Sequence, residues 1–301
     1  MRVVVALGGN ALLRRGESPD AGIQEDNVRR AVGSIARLAG RHEVVVTHGN
    51  GPQVGLLAVE SEHDGSLSAP YPLDVLGAET AGMVGYWLQR ELANALPGRE
   101  VVTVLTQTVV DPADPAFADP TKFIGQAYDE ATARRTAAEL GWTVLPDGAR
   151  WRRVVPSPAP VEFVELASIK ALVDSGAVVI CAGGGGVPVL RTERGLAGAE
   201  AVVDKDRAAA LLARQLGADA LLLLTDVAAV EVDFGTPAAR PLRRVTTGEL
   251  RQMTFAAGSM APKVTAACEF VEAGGRFAAI GALDRATELS TGEVGTVVVR
   301  G

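Results

Sequence analysis

Lysine is scarce in this chain and sits in unusual places. Of 29 Lys and Arg residues, only Lys122, Lys170, Lys205 and Lys263 are lysines. Arginine therefore supplies the solvent charge, and each compact ammonium stands out, because the two cations are not interchangeable. Lys170 ends the helical run VELASIK and reads as a solvated residue. Lys205 lies in Asp204-Lys205-Asp206, where a strand gives way to a helix. One reading is a capping aspartate beside a solvated lysine. The other has Lys205 neutralising a transferring phosphoryl group, with Asp206 orienting the cations. Lys263, in Gly258-Ser259-Met260-Ala261-Pro262-Lys263, falls just inside a helix N-terminus. A cation there opposes the helix dipole unless an anion lies between. Lys122, in Pro120-Thr121-Lys122, reads by itself as a surface residue.

Glycine turns supply the complementary feature. Gly8-Gly9-Asn10, Gly49-Asn50-Gly51, Gly183 to Gly186 and Gly258 each follow an apolar run. Glycine allows the backbone to approach a ligand closely, and a helix N-terminus just beyond favours an anion. Any one of these turns could be plain chain reversal. GxGxxG and GxxxxGK[ST] are both absent, which argues against a standard NAD enzyme and a Walker-type kinase. The first turn also lacks a lysine: Ala6 and Leu7 precede it. Phosphate chemistry there would need a cation from elsewhere in the chain.

These residues must be positioned by alternating elements. Strands are expected at 3–7, 43–48, 101–105, 177–182, 219–227, 276–283 and 296–300. Helices are expected at 26–40, capped by Asp26, and at 72–96, 130–140, 201–217 and 262–275. Apolar strands alternating with helices predict a doubly wound, open and mostly parallel α/β sheet, whose ligands bind at the carboxyl ends of the strands. Residues 111–158 break the pattern. They open with a Pro- and Asp-rich stretch and include a hairpin turning at Pro146-Asp147-Gly148, which suggests a projecting lid. The expected division is an N-terminal lobe at 1–165 that includes this lid, and a C-terminal lobe at 166–301.

Composition excludes other classes. The 301-residue chain is 48% hydrophobic with a net charge of −7 and a pI near 5.2. That speaks against disorder, nucleic acid and anionic membranes as partners. Cys181 and Cys268 form no disulfide framework and read as buried thiols. With no signal-peptide pattern and no long apolar span, the expected location is cytoplasmic.

Together VVALGGNAL, VTHGNGPQVG, YPLDVLGAETAGMVGYWLQ, DPADPAFADPTKFIG, WRRVVPSP, GGGGVPV, AVVDKDRAA, LTDV and GSMAPKV resemble the carbamate kinases of the amino acid kinase family. The resemblance runs in order from residue 3 to about residue 300. Two departures stand out: Phe123 and Ala257 occupy positions where the family usually has proline. The resemblance implies an αβα sandwich with a lid subdomain and a homodimer. It implies reversible phosphoryl transfer between ATP and carbamate, with Mg²⁺ carried on ATP or ADP. In fermentative cells the reaction would make ATP from carbamoyl phosphate at the end of arginine or agmatine breakdown.

The resemblance also offers an answer to the missing cation: Lys122 reaches in from the lid. It implies Lys205 and Lys263 as the other cations and Asp206 as their organiser. Gly8, Gly9, Asn10, Gly49, Asn50 and Gly51 would hold carbamate and the moving phosphoryl group. Thr225, Asp226, Gly258, Ser259, Met260 and Lys263 would hold the nucleotide. Two alternatives remain at this stage. One is another small-carboxylate kinase of the same fold, which would normally keep a first-strand lysine. The other is a non-catalytic nucleotide- or anion-binding protein.

Overall fold

Val3, Val4, Val5, Ala6 and Leu7 are all fully buried, which requires a strand covered on both faces. In the computed structural model this strand, β1 (Arg2–Leu7), lies at the centre of an eight-stranded sheet. All residues are described except 10, 11, 15 and 256–259, so the expectations for Asn10, Gly258 and Ser259 lie outside the described residues.

The N-terminal half continues with α1 (Ala21–Ala39), β2 (Glu43–His48), α2 (Gly51–His63), α3 (Leu73–Ala95), β3 (Val101–Thr103) and β4 (Gln107–Val110). The projection follows: β5 (Lys122–Tyr128), α4 (Glu130–Leu140), β6 (Thr143–Asp147) and β7 (Arg150–Val155). Next come β8 (Pro160–Phe163), α5 (Leu166–Asp174), β9 (Val178–Ile180), β10 (Val187–Thr192), β11 (Gly195–Gly198), α6 (Lys205–Gln215) and β12 (Ala220–Thr225). The chain closes with β13 (Glu231–Val232), β14 (Arg240–Pro241), β15 (Arg244–Thr246), α7 (Thr247–Arg251), α8 (Met260–Glu272), β16 (Phe277–Ala282), α9 (Ala286–Thr291) and β17 (Thr296–Val299).

The main sheet runs β15-β17-β16-β12-β1-β2-β9-β3, parallel throughout except between β16 and β17. Side chains alternate between its two faces. Val4, Ala6, Val45, Leu221 and Leu223 join one core with residues of α6 and α8. Val3, Val5, Leu7, Val44, Val46 and Leu222 join the other with α1, α3 and α9. This is the expected αβα sandwich. In register, Leu7 stands beside both His48 and Leu224, so β1, β2 and β12 end at one edge.

Several local expectations needed correction. Helix α1 begins at Ala21, not Asp26, and Asp20 occupies its N-cap position. Its first turns carry Gln24 and Asn27, which are polar yet buried. They donate to the carbonyls of Pro19 and Leu12, so an apolar periodicity scan passes over them. Asp26 instead pairs with Arg29 at 2.6 Å. Helix α2 follows Asn50 at once, with proline in its first turn; the glycine turn and the helix overlap in sequence. The lid hairpin turns one step later than expected, with Asp147 paired to Arg150. Pro146 lies within β6, the edge strand of the order β5-β7-β6, where a missing N–H is tolerated. A second sheet, β11-β10-β4-β8, was not expected.

Cys181 and Cys268 are buried, and burial pushes both thiols up. Among the described residues, no helix is long and apolar enough to cross a membrane.

The chain leaves the body through β4 and returns through β8, its antiparallel neighbour. The projection between them rests on α2. A Cβ on Gly55 would lie 2.6 Å from Gly125 Cα, and Gly125 has φ +69° where the β5–β7 register shifts. Gly55→Ala must push α2 and β5 apart, because both colliding groups are backbone. Its expected cost is about 1–3 kcal/mol, together with faster tryptic cleavage within 122–155. Cleavage and urea midpoint both at wild-type values would show that the contact is not a dock.

Candidate active site

The strand ends form the floor of a cleft. Its volume is about 260 Å³, and its lining includes Gly8, Gly9, Gly49, Asn50, Gly51, Thr225 and Asp226. The Gly8 N–H donates to Leu224 O at 3.1 Å, and the Gly49 N–H to Leu7 O at 3.0 Å. These two amides are spent on the sheet, so their contribution is close approach rather than donation. A Cβ on Gly49 would meet Gly9 N and Lys205 Cδ, each at 3.1 Å. The start of α2 at Gly51 also opens here, where helix N–H groups favour an anion.

Asn50 is held from behind. Its Nδ2 donates to Thr80 Oγ1 at 2.8 Å, and Thr80 in turn donates to Leu76 O. Gly184, at φ +67°, packs so closely that a Cβ would lie 2.3 Å from Asn50 Nδ2. The third glycine turn thus shapes the second. Beside it, His48 Nδ1 sits 3.0 Å from Gly49 O. Burial pushes the imidazole pKa down to about 4, so the ring is neutral near pH 7 and supports the turn. The unfolded imidazole protonates below its ordinary 6.5 while the folded one does not. Stability therefore falls as pH drops from 6.5 towards 4, by about 3 kcal/mol in total. His48→Asn should lack this component of acid sensitivity. Parallel stability–pH curves for the two proteins, from urea melts between pH 7 and 4, would contradict it.

The three motif lysines converge on this cleft from three elements. Lys122 opens β5, Lys205 opens α6, and Lys263 lies in the first turn of α8. Asp206 joins two of them: its Oδ1 is 2.5 Å from Lys205 Nζ and its Oδ2 3.3 Å from Lys263 Nζ. Burial lowers the Lys205 pKa, and Asp206 opposes that shift.

Asp204 is the capping aspartate that one reading of the sequence offered, and it also binds Lys122, which the sequence did not reveal. One oxygen caps α6, accepting from the N–H groups of Asp206 and Arg207 at 2.9 and 3.2 Å. The other takes Lys122 Nζ at 2.6 Å. Burial alone would raise its carboxyl; Lys122 and Lys205 outweigh that and hold it well below the usual carboxylate range. Two acids flanking one lysine were the available signal, but either acid could have been the cap. Lys170, by contrast, is exposed and pairs with Asp174 on its own helix.

A larger cavity of about 560 Å³ adjoins the cleft and shares Thr225 and Asp226 with it. Val227, Ala228, Ala229, Phe234, Phe255 and Met260 give it apolar walls. Met260 faces this cavity rather than the lysines. The combined arrangement is a cationic, glycine-floored cleft opening into an apolar chamber. It can hold a polyanion at one end and a flat apolar group at the other. Among the described residues, no group of three His, Cys, Asp or Glu could hold a metal ion.

Known proteins share this fold. The model of the amino acid kinase family matches residues 1–281. A carbamate kinase of Rhizobium meliloti is 51% identical, over 99% of this chain and 93% of its own length. Carbamate kinase from Giardia lamblia bound to AMP-PNP superposes with a TM-score of 0.91 at 39% identity, covering 100% of this chain and 98% of that one. The same enzyme bound to citric acid gives 0.93, also at 39% identity and the same coverage.

Proposed function

The chain belongs to the amino acid kinase family, and we propose that it transfers a phosphoryl group reversibly between ATP and carbamate, ATP + carbamate ⇌ ADP + carbamoyl phosphate. The observation that carries this reading is the meeting of Lys122, Lys205 and Lys263 over Gly8, Gly9 and Gly49. The first strand has Ala6 and Leu7 where other acylphosphate kinases of the fold would have a lysine, and Lys122 compensates from the lid. The relatives named as carbamate kinases, matched over nearly their whole length, supply the identity of the acceptor.

Phosphoryl transfer demands alignment and neutralisation of charge rather than covalent chemistry by the protein. Lys263 lies on the nucleotide side, Lys122 on the carbamate side and Lys205 between them. Carbamate is already an anion, so no general base is needed, and His48 stays neutral. Adenine would occupy the apolar chamber, and Thr225 and Asp226 would flank the phosphates where the two cavities meet. The C-terminal lobe at 166–301 would carry the nucleotide, and the N-terminal lobe at 1–165 the carbamate. The 111–158 projection would act as a lid that excludes water from a labile acylphosphate.

The residues fit Mg²⁺ delivered on the nucleotide. Mg²⁺ asks for only one or two carboxylates besides phosphate and water, and Asp226, which lines the cleft where it meets the apolar chamber, would be the carboxylate to hold it, since both Asp206 oxygens pair with lysines. When bound it would neutralise charge on the β- and γ-phosphate oxygens.

We place the protein in the direction of ATP formation and assign it as a homodimer. In support of a dimer, β3 is an open edge of the main sheet, and nearby Tyr86 and Leu105 are 58% and 52% exposed. Tyr86→Glu with Leu105→Glu should halve the mass seen by light scattering; an unchanged mass would remove this edge as the interface.

The test of the activity is direct. Protein, Mg-ADP and carbamoyl phosphate are mixed and ATP is followed by a coupled assay, with acetyl phosphate as the control donor. Rapid ATP formation from carbamoyl phosphate alone is expected. A folded, ADP-binding protein that makes none would overturn the assignment of the acceptor.

A further inference from the structure

The motif WRRVVPSP contributes no residue to the phosphoryl cleft, yet its Arg153 spans the lid and two parts of the body. Arg153 Nη1 donates to Glu62 Oε1 at 3.0 Å, and its Nη2 lies 3.5 Å from Glu200 Oε1. Its guanidinium stacks 4.7 Å from the Trp142 ring centre, within the lid. Glu62 is the penultimate residue of α2, the helix whose first residue, Gly51, opens into the cleft. Its side chain is only 3% exposed, and its Oε2, the oxygen that Arg153 does not take, has no hydrogen-bond partner among the described residues. Glu200 also accepts the Leu73 N–H at 2.8 Å and stands four residues before Asp204, the partner of Lys122. On the lid, Arg153 pairs directly with Ile124, two residues from Lys122 on β5.

Two charged struts therefore join the lid to the body. The strut at the cleft, Lys122–Asp204, must be loosened when Lys122 turns to a phosphoryl group. The outer one, Arg153 with Glu62 and Glu200, lies clear of the cleft and has no reason to change. We infer that Arg153 is a positioning residue that keeps the lid seated and Lys122 over the cleft while Lys122 exchanges Asp204 for the transferring phosphoryl group. Its planar fork suits two carboxylates, one on α2 and one in the segment between β11 and α6, which a lysine could not span in the same way. The inference rests on the proposed transfer reaction for its kinetic consequence, but its structural consequence can be read without any substrate.

The test uses Arg153→Gln with Glu62→Gln, so that no buried charge is left unpaired. Hydrogen exchange at the β5 amides should quicken at least about tenfold as the lid unseats, with β1 and α6 unchanged. Turnover of carbamoyl phosphate should fall about 10²-fold from misplacement of Lys122, while KM for ADP stays within about twofold. Combined with Lys122→Ala, the same pair should cost less than about twofold more, because its effect acts through that lysine. Equal fold losses with and without Lys122, or β5 exchange at the wild-type rate, would reduce Arg153 to a structural role and overturn the inference. If the double variant fails to fold, Arg153→Lys is measured in its place and should speed β5 exchange in the same way. Wild-type protein that makes no ATP, combined with faster β5 exchange in the variant, would overturn the reaction and leave the strut standing.

Discussion

Lys122→Ala is expected to lower turnover of carbamoyl phosphate by about 10³-fold while ADP affinity stays within about twofold. Lys122 is the sole lysine the lid contributes, and it lines the cleft but not the apolar chamber. Lys263, the lysine proposed for the nucleotide side, sits on a different element. Loss of the Lys122 ammonium should therefore be felt where charge develops on the moving phosphoryl group, and hardly at all by ADP. The fold should tolerate the change. The Lys122 side chain is 35% exposed, so its pair with Asp204 is screened and its removal should cost under about 1 kcal/mol. Asp204 keeps two backbone donors and Lys205 nearby. Lys122→Arg should not restore activity, since a planar guanidinium cannot turn from Asp204 to a phosphoryl oxygen as a compact ammonium does. Measured by initial rates and ADP titration, equal losses in turnover and ADP affinity would defeat the assignment of Lys122 to the acceptor side.

The same lysine marks the boundary of what the chain discloses before folding. The central strands were legible because parallel strands buried on both faces read as unbroken apolar runs, as 3–7 and 220–224 do. Helix α4 was legible from end to end, since Asp129 caps it and Gly141 closes it in the left-handed conformation. The start of α1 was not, because Gln24 and Asn27 are buried through hydrogen bonds that only the fold supplies. The chemistry divided in the same way. Lys205 and Asp206 adjoin in sequence and could be read as a unit. Lys122 and Asp204 are 82 residues apart, and no local pattern announces their meeting. Resemblance suggested that Lys122 enters the cleft, and the packing of β5 on α2 gives the physical reason. Arg153 was invisible for a similar cause: its two carboxylates lie far from it in the chain, Glu62 before it on α2 and Glu200 after it between β11 and α6.

Asp206→Asn should be the most destabilising single change in the site, for a reason that can be separated from catalysis. In the wild type one buried carboxylate holds two ammoniums, Lys205 at 2.5 Å and Lys263 at 3.3 Å. Asparagine keeps an acceptor oxygen but removes the charge and turns an NH₂ donor towards cations. Two ammoniums would then face each other in a partly dry cleft. Breaking such a buried arrangement costs about 3–5 kcal/mol, and turnover should fall by at least about 10²-fold because neither lysine keeps its place. The sign of the pH response follows from Lys205, whose pKa already lies below its ordinary value through burial, with Asp206 opposing. Without Asp206 it must fall further. Between that lowered value and the ordinary 10.5, the unfolded chain binds more protons than the folded one, so stability rises with pH. The deficit of the variant should therefore shrink between pH 7 and 10. Sulfate, an anion able to stand between the two lysines, should raise the melting temperature of the variant more than that of the wild type. A deficit that is the same at every pH, with equal sulfate shifts in both proteins, would mean that Asp206 does not hold the two cations apart, and the charge argument for the site would fail with it.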